Sequence, residues 1–359
     1  MSLTCGVVGL PGVGKTCLFN AITAAGVTSV GREEANRAVV SVPDYRIDPL
    51  VKMYSAPKIV PAQMEVVDIP GLKAGSTAPN GRGSKLLAFI KDVDAIIHVV
   101  RCFDDPALAH EYPTIDPPRD VETIDLEMVA ADHQTVQNKI ERLAKKAKAG
   151  DNEAKRDLEG CETVKTGLDS GTPARKLGLS ERDIQAIADC NLMSLKPVMY
   201  VANLKSVAEG ENAYVKALDK LAQAEGAEVI TVAARDEADI AQLDPTDQAV
   251  FLADLGLKKS SMERLIQAAY RTLGLVNFLT AGPKEVHVWT CRTGSKAPQA
   301  AGKIHSDMEK GFIRMEVMTY DDLIGLGSEA AVAKAGKLRV EGKDYVVQDG
   351  DIVVIRFNK

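Results

Sequence analysis

A chain of 359 residues is long enough for two or three domains, and its six scattered cysteines, with no C-x-x-C pair, argue against a zinc site or a disulfide framework and for a reducing cytoplasm. A net charge of −6 excludes a generic nucleic-acid binder, so any contact with RNA would need local basic patches. No apolar run approaches the roughly 20 residues of a membrane span, and the first residues carry no basic segment ahead of an apolar one, so neither membrane insertion nor export is expected.

The first predicted element is "CGVV", a short apolar run that reads as a buried strand. It leads into "GLPGVGKT", Gly9 to Thr16, and then into "CLFNAIT", the start of a helix. A strand, a G-x-x-x-x-G-K-T loop and a helix in that order make a phosphate-binding loop. Gly9, Gly12 and Gly14 let the backbone wrap a phosphate and aim its N–H groups inward. The helix turns the positive end of its dipole on the anion. Lys15 adds a full charge at the outer phosphates, and Thr16 offers a hydroxyl to Mg²⁺.

Next, "VVDIPGL" supplies Asp68 and Gly71 as D-x-x-G at a strand end. An Asp there can hold a Mg²⁺-bound water, and the Gly N–H can reach a γ-phosphate. Leu72 follows, where small GTPases often carry a water-orienting Gln. Its apolar side chain leaves two outcomes: another group positions the water, or hydrolysis is slow and needs a partner. The Gly-rich "GSTAPNGRGSKLL" then reads as a switch segment. With "AIIHVVRCF", "PVMYVANL" and "AEVITVAA", these runs describe a parallel sheet with helices on both faces.

The alternation breaks between about Ile124 and Asp189. Leu126, Val129, His133, Val136, Ile140, Leu143 and Ala147 form one helical stripe. Gly150, Asp151 and Asn152 signal a turn, and Ala154, Leu158, Cys161 and Leu168 form a second, weaker stripe. The spacing predicts an inserted antiparallel helical hairpin, followed by a short helix capped by Ser180 ahead of Asp183. His133 reads as a polar residue tuning the seam. Lys139, Arg142, Lys145, Lys146 and Lys148 read either as a solvated face or as a contact for RNA phosphates. Farther on, Asn203 occupies the base-reading position of an N-K-x-D pattern, but Ser206 stands where the guanine-reading Asp belongs. From about Asn277, "KEVHVWTCRTG" and "LRVEGKDYVVQDGDIVVIRFN" read as short strands of a small α+β module, with Trp289 packed in its core.

These motifs, with "IIHVVRCFDD", "KPVMYVANL", "AAGKIHSDMEKGFIRMEVMTYDDLI" and "EGKDYVVQDGDIVVIRFN", make the chain resemble the YchF / Obg-like ATPase family along nearly its whole length. The resemblance implies an α/β P-loop NTPase G domain over 1–124 and 190–276, a helical coiled-coil insertion over 125–189, and a β-grasp TGS domain over 277–359. It implies a Mg²⁺-dependent nucleotide hydrolase, commonly preferring ATP over GTP, that associates with ribosomes and is linked to translation and stress. The partner would be the ribosome or ribosomal RNA, met through the helical arm and the TGS domain, with the protein a cytoplasmic monomer. Carried over by position, Gly12, Val13, Gly14, Lys15, Thr16 and Cys17 cradle the phosphates, Thr16 and Asp68 serve the metal, and Asn203, Leu204, Ala233 and Ala234 meet the base. Departures from the family are Gly12 for an Asn, Cys17 for a frequent Thr, Ser206 for a Glu, and a shortened first switch. Counting back puts Arg32 where that switch's Mg²⁺-completing Thr belongs; Thr28 or Ser29 is the substitute if the gap lies elsewhere, and Arg32 itself reads either as an arginine finger or as a plain solvated side chain. A nucleotide-sensing ribosome- or RNA-binding adaptor that hardly hydrolyses, and a GTP-selective Obg-like GTPase, are the rival readings.

Overall fold

The computed structural model describes residues 3–27, 34–72, 75, 83–255 and 260–358. The switch candidates Thr28, Ser29 and Arg32, and most of the Gly-rich stretch after Leu72, lie outside the described residues. The strands in chain order are β1 (Thr4–Val8), β2 (Asn36–Ser41), β3 (Lys58–Val60), β4 (Gln63–Asp68), β5 (Ala95–Arg101), β6 (Val198–Asn203), β7 (Val229–Val232), β8 (Leu275–Ala281), β9 (Glu285–Arg292), β10 (Phe312–Thr319), β11 (Arg339–Glu341) and β12 (Asp351–Phe357). They build two sheets, and the chain divides into two compact units, 1–39 with 65–269 and 40–64 with 270–359.

The first unit carries a six-stranded sheet in the order β2-β4-β1-β5-β6-β7. β1 runs parallel to β4 and β5, β5 to β6, and β6 to β7. All five residues of β1 and all seven of β5 are buried, as expected of central strands covered by helices on both faces. The pairings Val7↔Asp68, Arg101↔Asn203 and Asn203↔Val232 align the carboxyl ends of these strands along one edge, the usual ligand edge of an open α/β sheet.

Buried in β5, His98 is 2% exposed and lies 5.6 Å, ring to ring, from Tyr200. Burial first, and then the nearby Arg175 and Lys15 cations, push its imidazole down to about 3, against the pull of Glu225. A His whose folded value lies below its unfolded one of 6.5 favours folding fully above that value, and the contribution fades as pH falls towards 3. We therefore expect His98 to cost roughly 2 kcal/mol of stability between pH 7 and pH 5. Urea unfolding across this range should show that dependence in the wild-type protein and lose it in His98→Gln. Identical pH profiles for the two would refute the assignment.

The inserted arm consists of a long helix, Pro117–Lys148, and a second helix, Asn152–Asp169. The first is capped by Asp116, whose side chain accepts from Arg119 N with Pro117 leading the helix. The second is capped by Asp151, after a turn whose Gly150 has φ +97°. Val129, Val136 and Leu143 recur every seven residues and pack against Ala154, Cys161, Val164 and Leu168. The first helix thus begins before the predicted start, and Leu126 lies 45% exposed off the seam. His133 reaches from one helix to the other: its Nε2 meets the Asp169 carboxylate at 2.7 Å. Lys139 leaves the basic face. It is buried, donates to the Ala186 carbonyl at 2.6 Å and pairs with Asp189, while Arg142, Lys145, Lys146 and Lys148 stay exposed. The Ser180 cap forms with Asp183 as a reciprocal capping box.

Four buried acids on the long helix have distinct partners. Asp132, 0% exposed, accepts from Met193 N, Ser194 N and Ser194 Oγ at 3.0, 2.7 and 2.6 Å. Asp120 pairs with Arg119 at 2.8 Å and with His110 at 3.0 Å. Asp125 takes Arg175 Nη2 on both oxygens, at 2.8 and 2.6 Å. Arg175 also reaches Glu225, which holds Lys176 at 2.6 Å and accepts from Tyr200 OH at 2.9 Å. Glu127, the fourth, accepts the backbone N–H of Gly75 at 2.6 Å.

The second unit holds a mixed sheet in the order β11-β10-β12-β8-β9-β3. Its core gathers Phe278, Cys291, Met315, Val317 and Val353 under Ala297, Ala300 and Ala301 of a short helix. Trp289 packs half-buried against this core, stacks on His287 at 3.6 Å, and donates its indole N–H to Thr280 at 2.9 Å. Residues 40–64, which the sequence reading assigns to the nucleotide domain, belong to this unit. β3 pairs in parallel with β9, and the helix Ile47–Tyr54 packs on β8 and β9. Arg46, 6% exposed, donates to Asp44 at 2.7 Å and to Asp349 at 2.8 Å.

Candidate active site

β1 ends at Val8, the chain turns through 9–14, and a helix begins at Lys15. Gly9, Gly12 and Gly14 have φ of +152°, +76° and +98°. At Gly14 a Cβ would also fall 2.3 Å from Asn203 Nδ2, so both backbone and space demand glycine. A Cβ on Gly12 would lie 2.9 Å from the Ala109 carbonyl, so a side chain there would require the loop to shift.

The Lys15 ammonium is 7% exposed and donates to the Leu10 carbonyl at 2.7 Å rather than to a carboxylate. Burial pushes it down to about 8, against the attraction of Asp68. A buried cation held by a neutral carbonyl gains most when an anion arrives. Thr16 Oγ1 donates to Asp68 Oδ2 at 2.9 Å, and Asn36 Nδ2 lies 3.4 Å from the same oxygen. A hydroxyl and a carboxylate side by side are the hard oxygen donors that a magnesium-sized cation takes. Gly71 packs on the loop so closely that a Cβ would meet Pro11 Cα at 2.9 Å. Leu72 is 0% exposed, so its side chain is withdrawn from any attacking water. Cys17 is half-buried, and burial raises its thiol.

Asn203, at the end of β6, donates from Nδ2 to the Val13 carbonyl at 2.8 Å and accepts the Ala234 N–H at 3.0 Å. One amide thus ties the phosphate loop to the start of the helix Ala234–Ala241. The Ala234 N–H, expected at a base, is engaged by this side chain. Leu204, Ala233 and Ala234 are all buried, and Ser206 is half-buried after β6.

Sequence reasoning missed Arg101. It is 1% exposed, and its guanidinium donates to the carbonyls of Phe103, Asp105 and Leu108 at 3.1, 3.0 and 3.1 Å. It folds the segment that brings Ala109 against Gly12 and Asp105 within 3.0 Å of Lys205. No spacing rule marks an arginine whose partners are carbonyls; its only sequence signal is a lone charge at the end of an apolar strand.

Comparison with known proteins agrees with this architecture. The family model of 50S ribosome-binding GTPases matches residues 4–147, and a YchF-GTPase C-terminal model, described as a protein of unknown function, matches residues 275–358. The chain is 44% identical to the ribosome-binding ATPase YchF of Haemophilus influenzae and 43% identical to that of Bacillus subtilis, covering 100% of each chain in both cases. It is 40% identical to Obg-like ATPase 1 of Oryza sativa, over 99% of this chain and 92% of that one. The solved structure of the Schizosaccharomyces pombe YchF GTPase superposes with a TM-score of 0.84 at 34% identity, covering 99% of this chain and 98% of that one.

Proposed function

The chain belongs to the YchF family of P-loop nucleotide hydrolases, and from that premise we propose a Mg²⁺-dependent, ribosome-associated hydrolase that prefers ATP to GTP and turns over slowly by itself. The observation that carries this reading is the convergence of Lys15, Thr16 and Asp68 at the end of β1, beside Gly71.

Thr16 and Asp68 would hold Mg²⁺, which when bound neutralises charge on the β- and γ-phosphates. Lys15 and the loop N–H groups bind the outer phosphate oxygens and stabilise the charge that develops as the β–γ bridging bond breaks. Gly71 offers its N–H to the γ-phosphate. No Gln orients the incoming water, because Leu72 is buried, and intrinsic turnover is accordingly slow, on the order of 10⁻² per second or less. Asn203 holds the base-side loops in place instead of reading the base edge. Ser206 has no carboxylate to accept from guanine N1–H and N2–H, and that loss favours adenine.

The exposed cations Arg142, Lys145, Lys146 and Lys148 near the arm's turn suit an RNA phosphate surface. The C-terminal sheet, read as a TGS-like domain over 277–359, is a second candidate contact for the ribosome. We read the protein as cytoplasmic and, between encounters, as a monomer.

Equilibrium binding of ATP and GTP, side by side with Mg²⁺ at fixed salt, tests the base assignment. ATP should bind about tenfold more tightly. Tighter GTP binding would overturn it, and binding of neither would favour the adaptor reading.

A further inference from the structure

Glu127, in the helix Pro117–Lys148, is 8% exposed. A carboxylate this buried is costly unless it is hydrogen-bonded. The neighbouring acids Asp120, Asp125 and Asp132 are answered by His110 and Arg119, by Arg175, and by Met193 and Ser194. Glu127 accepts the backbone N–H of Gly75 at 2.6 Å, a short charge-assisted bond. Gly75 has φ +77°, so the chain turns there in a conformation that suits glycine.

Gly75 lies four residues beyond Gly71, and Gly71 is fitted against Pro11 of the phosphate loop with no room for a Cβ. The chain that leaves the D-x-x-G motif is therefore held at two described points, Gly71 and Gly75. The first meets the phosphate loop, and the second meets the root of the arm helix. We propose that Glu127 is a positioning residue for nucleoside-triphosphate hydrolysis. By anchoring Gly75, it sets where the Gly71 N–H stands relative to the γ-phosphate, and it ties that placement to the arm. The proposal rests on the reading of Gly71 as the γ-phosphate contact. A linkage of this kind is reciprocal in binding free energy: whatever the arm docks against biases triphosphate binding, and triphosphate biases the arm.

The test uses the full-length protein, with Glu127→Ala and Glu127→Gln. Three quantities are measured: affinity for ADP, affinity for a non-hydrolysable ATP analogue, both with Mg²⁺, and the single-turnover rate of ATP hydrolysis. Glu127→Ala should weaken analogue binding or slow hydrolysis about tenfold while ADP affinity stays within about twofold. Glu127→Gln keeps an acceptor oxygen for the Gly75 N–H and should recover most of the loss. Equal weakening of ADP and analogue in Glu127→Ala would mean a merely structural role and overturn the proposal. So would wild-type behaviour in both assays. A wild-type protein that hydrolyses no nucleotide would sink the functional reading and this proposal together, whereas a hydrolysing wild type matched by an unaffected Glu127→Ala overturns this proposal alone.

Discussion

Lys15→Ala should lower nucleotide hydrolysis by about a hundred- to a thousandfold, the loss expected when one preorganised charge is removed from a developing oxyanion. The side chain is buried in the loop and bonded to the Leu10 carbonyl, in place to meet an incoming phosphate. Its folded-state value is depressed by burial, which means that the ammonium is desolvated without full compensation in the free protein. Alanine removes that cost, so the variant should unfold at the same temperature as the wild type or higher. Loss of activity with retained stability separates a chemical role from a folding defect. Single-turnover hydrolysis and thermal unfolding, measured on one preparation, check both. A residual rate within threefold of the wild type would assign the activity to another site or a contaminant.

Arg175→Ala should destabilise the first unit by about 3 kcal/mol, the low end of the range for breaking a buried ion pair from one side. Arg175 meets Asp125 through two oxygens and also faces Glu225, and both acids have side chains 6% exposed or less. Without the guanidinium, Asp125 keeps, among the described residues, Lys176 at 3.7 Å. Glu225 keeps Lys176 at 2.6 Å and Tyr200, which is why the lower figure applies. Two Arg175 nitrogens, Nε and Nη1, find no acceptor among the described residues, so the network is not an optimum. A double variant, Arg175→Met with Asp125→Leu, should therefore recover much of the loss. Urea unfolding decides it. A cost below about 1 kcal/mol for Arg175→Ala would show that Lys176 alone answers both acids.

The parts of this molecule that were legible in its sequence are those where chemistry fixes residue type and spacing together. A phosphate loop needs its glycines, Lys15 and Thr16 in one order, and Asp68 must end the strand beside it. The arm was legible because a buried stripe repeats along it, but repetition cannot say which members face outward. Leu126 fits the spacing and is exposed, while Lys139 fits a basic run and is buried. Arg101 and Glu127 were invisible for a different reason. Arg101 donates to three carbonyls and Glu127 accepts a backbone N–H, and a backbone N–H or carbonyl carries no sequence signal. The grouping of residues 40–64 was hidden by distance, because a strand of three residues draws its register from a partner far along the chain.

That distant pairing also orders the chain in time. Lys58 and Glu285, which bond across β3 and β9, are 227 residues apart. Closing a flexible loop of that length costs on the order of 5 kcal/mol, recovered only when the second sheet assembles around it. On a ribosome synthesising this protein, the stretch between β2 and β4 emerges early, and β3 within it finds no partner strand until β9 has been made. Leu50, fully buried in the finished fold, waits uncovered through most of translation. The stretch that follows the first switch candidates is thus among the first made and the last to fold. Chains cut short before β8 would keep the phosphate loop and leave that stretch without its partner strands.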